Sequence, residues 1–191
     1  MTAFRMIATA LGAALLTASS ATAQEASTAR ETLILPSPGG ETIVPGPWRR
    51  AYDEIGYAPA RRIGDTLYVS GAVGGLAPGQ PQDEAGLEAA ARSAFDQLEI
   101  VLKAAGATFN DVVMINSFHV WDGPETSRRM MHVQAMKKVM DERWTGPRPA
   151  WTAVGTTGLL MPTGVMEIQL IVHAPLPASI GEGCGSIDNC R

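Results

Sequence analysis

The sequence is poor in the residues that build most metal sites and covalent catalytic sites. Its 191 residues include only two cysteines and three histidines. Both cysteines, Cys184 and Cys190, lie in the C-terminal tail 177–191, where two nearby thiols in an oxidising compartment favour a local disulfide. A zinc site needs more ligands than this spacing supplies, and the tail contains no histidine. We therefore predict a disulfide-closed tail and no metal site there.

Several catalytic motifs are also missing. The chain has no Gly-x-Ser-x-Gly elbow, no His-Glu-x-x-His helix and no phosphate loop ending in Gly-Lys-Ser/Thr. The three histidines, His119, His132 and His173, are far apart in sequence, and we interpret them as partly buried or surface residues in preference to metal ligands.

The chain lacks any cluster of cations. Its formal net charge is −4, and its basic pairs are scattered among acids. Proteins that bind nucleic-acid phosphates need clustered Lys and Arg. The charge pattern therefore argues against a nucleic-acid partner.

No apolar run is long enough to cross a bilayer. The longest, Met6 to Leu16, is shorter than the ~20 residues that a transmembrane helix needs. It follows a basic residue, Arg5, and precedes the small residues of Ala21-Thr22-Ala23, which is the layout of a secretory signal peptide. We predict a signal peptide over residues 1–23, a mature chain that is periplasmic or secreted, and no membrane contact after cleavage.

The rest of the chain alternates between strand and helix patterns. Residues 24–50 are rich in Pro and Gly and predict an extended arm, with a short strand at Glu-Thr-Ile-Val. Residues 51–176 predict one α+β domain, with two helices on one face of a mixed sheet. The predicted strands and helices are Thr66–Gly74, a helix from Leu87 to Ala105 capped by Gly106, Asp111–Trp121, a helix with a capping box at Asp122–Glu125 that ends near Arg143, Trp151–Thr156 and Val165–Val172.

The sequence pattern alone leaves two possible roles for each of three residues. Glu167 alternates with an apolar face, so it either lies on a solvent-exposed sheet face or orients a water in a crevice. Ser70 either satisfies a neighbouring backbone group or lines a site, and Gly71 beside it permits a close approach of another backbone. Trp151, after Pro147 and Pro149, is either core or the wall of a pocket.

Several linked motifs resemble those of one known family. Gly-Tyr-Ala-Pro-Ala-Arg-Arg-Ile-Gly-Asp-Thr-Leu-Tyr-Val-Ser-Gly, Arg-Pro-Ala-Trp-Thr-Ala-Val and Met-Pro-Thr-Gly-Val-Met-Glu-Ile-Gln-Leu occur here in the same order as in the Rid proteins. These are the reactive-intermediate deaminases, also called the YjgF family. The resemblance runs from about Tyr57 to His173.

The resemblance implies a chorismate-mutase-like fold and a homotrimer. In the family, the sheets form a barrel and ligand clefts lie between subunits. Deaminating members hydrolyse enamines and imines without a cofactor of their own. Tyr57 matches the family's cleft tyrosine, Ser70 and Gly71 match its serine–glycine pair, and Glu167 matches its water-holding glutamate.

The sequence departs from the family at the carboxylate clamp. Deaminating members have Pro-Ala-Arg where this chain has Pro149-Ala150-Trp151. Their arginine binds the substrate carboxylate through two charged hydrogen bonds, whereas an indole has one N–H and no charge. Met130 or Met131 also lies near the point where the family has a helix asparagine. Arg148 is the candidate to replace the clamp from the preceding loop.

These observations predict a homotrimer that binds a small molecule between subunits without standard imine deaminase activity. The alternative is an enamine or imine deaminase in which Glu167 positions the water. Ribonuclease activity, which is sometimes attributed to this family, is disfavoured by the acidic charge and by export.

Overall fold

The computed structural model describes residues 31–121 and 126–176. They form a seven-stranded sheet in the order β1-β2-β3-β4-β7-β5-β6. The strands are β1 Leu33–Ser37, β2 Gly40–Val44, β3 Ala60–Ile63, β4 Thr66–Gly75, β5 Val112–Val120, β6 Ala150–Thr156 and β7 Gly164–His173. All neighbouring strands are antiparallel except β5 and β6, which are parallel. The predicted mixed α+β fold is confirmed.

Three α-helices accompany the sheet: α1 Arg49–Ile55, α2 Glu84–Ala104 and α3 Thr126–Arg143. The side chain of Asp83 accepts a hydrogen bond from the Gly86 backbone at 2.8 Å and so begins α2. Gly106 ends this helix in the left-handed region, with φ 71°. The Gly106 N–H donates to the Lys103 carbonyl, and the Ala107 N–H donates to the Leu102 carbonyl. These two bonds form the Schellman motif. The predicted glycine cap is therefore confirmed.

The core lies between the sheet and the two long helices. The predicted apolar face of β7 is fully buried, and it packs with the buried stripe of α2 and the Met136 side of α3. Alternation with period two sends the other side chains of β7 to the opposite face. The two long helices do not cover that second face, and it carries exposed Tyr68, Phe118 and Val154. We call it the open face.

The N-terminal part of the chain differs from its prediction. The short strand predicted at Glu-Thr-Ile-Val is confirmed as β2. Where the sequence predicted an extended arm before it, β1 forms a hairpin with β2, and β2 pairs with β3 at the sheet edge. The hairpin turn contains Gly39 at φ 77°, and a Cβ at Gly40 would lie 2.1 Å from the Arg62 carbonyl oxygen. Gly39 and Gly40 suggested an irregular segment in the sequence. In the structure they permit a tight turn and a close contact between strands.

The buried guanidinium of Arg62 joins three parts of the domain. Arg62 is 3% exposed. Its Nε donates to Glu41 on β2 at 3.0 Å, and its terminal nitrogens donate to the carbonyls of Ala105 after α2 and Ala174 after β7. β3 was missed by sequence patterning because this buried arginine interrupts its apolar alternation.

Some sequence predictions fall outside the described residues. They are the signal peptide, the Asp122–Glu125 capping box, and the pairing of Cys184 with Cys190. Within residues 31–121 and 126–176, no helix combines the length and apolar character needed to span a bilayer.

Candidate functional site

An irregularity between β4 and β7 sets up the candidate site. Their register slips between Val69 and Ala72, so Ser70 and Gly71 stand opposite a single residue of β7, Gln169. Such a bulge re-aims side chains at the point where it occurs. The hydroxyl of Ser70 donates to the Ala58 carbonyl at 2.7 Å and thereby ties the bulge to the loop before β3.

Tyr57, Gly71 and Glu167 meet at this bulge. The Tyr57 hydroxyl donates to the Gly71 carbonyl at 2.9 Å. A Cβ built on Gly71 would lie 1.9 Å from Oε1 of Glu167, so the absence of a side chain there makes room for the carboxylate. The sequence suggested that another backbone segment approaches Gly71. In the structure it is the Glu167 side chain that does so.

Glu167 is a half-buried carboxylate without an ion-pair partner in the part of the chain that the structure describes. Burial, and secondarily the negative charge of Glu167, raises the pKa of Tyr57 above its ordinary value. The tyrosine therefore stays protonated at neutral pH and keeps its hydrogen bond to Gly71.

Trp151 is half-buried and is held by a hydrogen bond on the helix side of the sheet. Its indole N–H donates to the Ser117 hydroxyl oxygen at 2.8 Å, and its ring packs against the core. Ser117 in turn lies 2.8 Å from Nε2 of His119. The edge strand β6 thus presents an indole whose single donor is already bonded within the protomer.

Trp151 and Glu167 lie on opposite faces of one sheet. Residues paired across strands share a face. Trp151 pairs with buried Ile115, whereas Glu167 pairs with exposed Phe118. Within one protomer the two predicted site residues are therefore not brought together.

Arg148 is also separated from Glu167. Its guanidinium donates to the Met140 carbonyl and, at 2.7 Å, to the Asp141 carboxylate. Both acceptors lie near the end of α3. In the protomer this arginine fastens the loop before β6 to the helix, and it does not reach Tyr57 or Gly71.

A cluster of histidines and a tryptophan beside Trp151 was not predicted. The rings of His119 and His132 are 5.3 Å apart, and Trp121 stacks on His119 and makes an edge contact with His132. A Cβ at Gly155 would lie 2.3 Å from the Trp121 ring, so glycine lets the indole lie on β6. The alternation Ser117-x-His119-x-Trp121 is the signal in the sequence that predicts Ser117, His119 and Trp121 on one face of the strand.

The cluster is buried and holds both histidines neutral. His119 and His132 are fully buried, and burial lowers the pKa of each to about 4, with His132 lowering that of His119 further. Gln82 donates to the Val120 carbonyl at 2.8 Å and lies 3.2 Å from the Nε2 of His132. No group of three or more metal-ligating side chains occurs among residues 31–121 and 126–176.

The lowered pKa values predict a stability that falls with acidity. An unfolded histidine binds a proton near pH 6.5, whereas these two bind one only near pH 4 when folded. Between those values the unfolded state holds more protons, so the free energy of unfolding should fall by up to about 1.4 kcal/mol per pH unit per histidine. Urea unfolding at pH 7 and pH 5 measures this slope.

Two variants check that the slope comes from the cluster. His132→Gln should reduce it by about half, since one of two contributing groups is removed. His173→Gln, which changes an exposed histidine at the end of β7, should leave it unchanged. An equal slope in the wild type and in His132→Gln would contradict the assignment.

Two surface cavities formed by the described residues lie away from these residues. One of about 340 Å³ is lined by Glu99, Phe109, Glu142 and Arg143. Another, of about 420 Å³, lies beside β1 and α1. Neither touches Tyr57, Glu167 or Trp151.

The family assignment agrees with this fold. The family described as endoribonuclease L-PSP matches residues 50–174. The chain therefore belongs to this family, which includes the YjgF and Rid proteins.

Individual relatives differ in what their names say. RutC family protein YjgH of Escherichia coli K12 is 37% identical over 135 residues, covering 70% of this chain and 94% of that protein. A 2-iminobutanoate/2-iminopropanoate deaminase of Dermatophagoides farinae is 32% identical over 122 residues, covering 61% of this chain and 84% of that enzyme. The solved structure of protein YJGH matches with a TM-score of 0.53 at 32% identity, covering 78% of this chain and 99% of that one.

Proposed function

We propose that the protein is an exported homotrimer that binds a small molecule in a cleft between subunits and lacks standard imine deaminase activity. The observation that carries the proposal is the position of Trp151. By the sequence resemblance, Trp151 stands where deaminating members have their carboxylate-binding arginine, and its only donor is bonded to Ser117 at 2.8 Å. Arg148, the candidate replacement, is bonded to the end of α3.

The opposite orientation of Trp151 and Glu167 supports a cleft made by two copies. One protomer supplies the Tyr57–Gly71–Glu167 group, and a neighbour supplies the edge strand with Trp151. The open face suits such assembly because it exposes Tyr68, Phe118 and Val154, which are 48%, 36% and 44% exposed in a single chain. Closed symmetric assembly is the usual state of soluble oligomers.

Deaminase activity is the alternative, and one observation favours it. Tyr57, Gly71 and Glu167 form a compact group, and within the described residues its carboxylate has no cation partner. Such a carboxylate can accept a proton from water. A relative named as a 2-iminobutanoate/2-iminopropanoate deaminase is 32% identical to this chain. If the chain is active, Glu167→Gln should abolish turnover while the fold is retained.

Hydrolysis of 2-imino acids by the mature wild-type protein separates the two functions. We expect ammonia release at the spontaneous rate, because each charged hydrogen bond lost from a carboxylate forfeits about 1.5–3 kcal/mol, or one to two powers of ten. The imino acids are generated freshly by an amino-acid oxidase, and an authentic deaminase serves as positive control. Acceleration by the wild-type protein would contradict the proposal and establish the alternative.

A further inference from the structure

Three side-chain hydrogen-bond donors of the candidate cleft are engaged within the protomer. The Tyr57 hydroxyl donates to Gly71, and the Ser70 hydroxyl donates to Ala58. The Trp151 indole donates to Ser117. A ligand entering the cleft therefore finds none of these three donors free.

Tyr57, Ser70, Trp151 and Glu167 leave a ligand only acceptors and an aromatic surface. The Glu167 carboxylate has two oxygens and no ion-pair partner within the described residues, and the oxygens of Tyr57 and Ser70 keep lone pairs. Because its N–H is bonded inward, Trp151 offers a ligand only its ring. A carboxylate and the face of an indole both attract a cation.

Arg148 and Arg129 do not reverse this balance. Arg148 pairs at 2.7 Å with Asp141, a carboxylate that it shares with Lys137. Arg129 lies with its guanidinium carbon 5.5 Å from the centre of the Trp121 ring. Trp121 rests over Gly155, four residues along β6 from Trp151, which is about 13 Å at strand spacing. The charge closest to the bulge is that of Glu167.

On the basis of the proposed intersubunit cleft, we propose that its ligand is a small amine or iminium cation attached to a planar or apolar group and lacking a carboxylate. The nitrogen donates hydrogen bonds to the Glu167 carboxylate and to the hydroxyl oxygens of Tyr57 and Ser70. The planar part lies on the ring of Trp151. A carboxylate on the ligand would face Glu167 with no free donor among Tyr57, Ser70 and Trp151.

Three probes of matched size test this class: benzylamine, benzyl alcohol and benzoate. Calorimetry and thermal stabilisation of the mature trimer at pH 7 measure their binding. We expect benzylamine, a cation at this pH, to bind about tenfold or more tighter than the alcohol, since a hydrogen bond between charged groups contributes about 1.5–3 kcal/mol. Benzoate should not bind.

Four variants assign the effect to residues. Glu167→Gln should remove the preference for the amine over the alcohol, and Trp151→Leu should weaken both. Glu84→Gln, an exposed carboxylate in the first turn of α2, should leave all binding unchanged. Arg129→Gln should likewise have no effect.

Each contrary outcome contradicts a different statement. Equal binding of amine and alcohol, both dependent on Trp151, would overturn the cationic class and leave the cleft in place. Benzoate binding that is lost in Arg129→Gln would overturn the class and identify Arg129 as the clamp. No binding of any probe, or binding unaffected by both Trp151→Leu and Glu167→Gln, would count against the cleft itself and so against the proposed function.

Discussion

Trp151→Arg should convert the protein into a hydrolase of 2-imino acids. The variant places a guanidinium on edge strand β6, where two charged hydrogen bonds to a substrate carboxylate become available. At about 1.5–3 kcal/mol each, these bonds correspond to a gain of at least about 100-fold in kcat/KM over the wild-type protein. Ammonia release from freshly generated 2-iminopropanoate measures the gain.

The matched control for this gain is Trp151→Lys. A lysine supplies the same charge as arginine but lacks the planar fork that binds a carboxylate in two places. We expect it to gain much less activity. Trp151→Arg combined with Glu167→Gln should be inactive, because the carboxylate that positions water is lost. An inactive but folded Trp151→Arg variant would show that position 151 does not contact the substrate.

Arg62→Met should lower the free energy of unfolding by about 3–5 kcal/mol. This is the usual cost of removing one partner from a buried ion pair. Because the Glu41 side chain is 21% exposed, the buried carbonyls left without a donor contribute part of the loss. Here Glu41 loses its cation, and the carbonyls of Ala105 and Ala174 lose their donor. Urea unfolding monitored by circular dichroism measures the change in midpoint.

Arg61→Met is the control for the arginine at position 62. Arg61 precedes it on β3, points to the other face, and makes an exposed hydrogen bond to the Pro38 carbonyl at 3.1 Å. Its replacement should change stability by no more than about 0.5 kcal/mol, as is usual for surface positions. Similar losses in both variants would mean that the buried bonds of Arg62 contribute little.

The pattern of apolar residues along the sequence predicted those strands and helices whose side chains follow one period throughout. The alternation in β7 and the helical repeat of α2 gave their faces correctly because each packs one face on the core. Gly106 was identified as a cap because only a residue at ease with positive φ suits that point. β3 escaped detection because the Arg62 side chain is buried through tertiary bonds that no local pattern encodes.

The sequence predicted which residues belong to the candidate site, but it predicted only some of the contacts between them. Tyr57, Gly71 and Glu167 came from the resemblance, and their contact depends on a bulge that a single strand's sequence does not reveal. The direction of Arg148 depends on where α3 ends relative to the loop. His119 and His132 meet because β5 packs under α3, and that packing becomes visible only in three dimensions.

The most direct test of the account is subunit complementation in the imine assay. One subunit carries Trp151→Arg with Glu167→Gln, the other is wild type, and each homotrimer alone should be inactive. If the cleft joins position 151 of one copy to Glu167 of another, random mixing in equal amounts should activate about one cleft in four. If mixed trimers stay inactive while Trp151→Arg alone is active, the two residues act within one protomer, and the intersubunit cleft is contradicted.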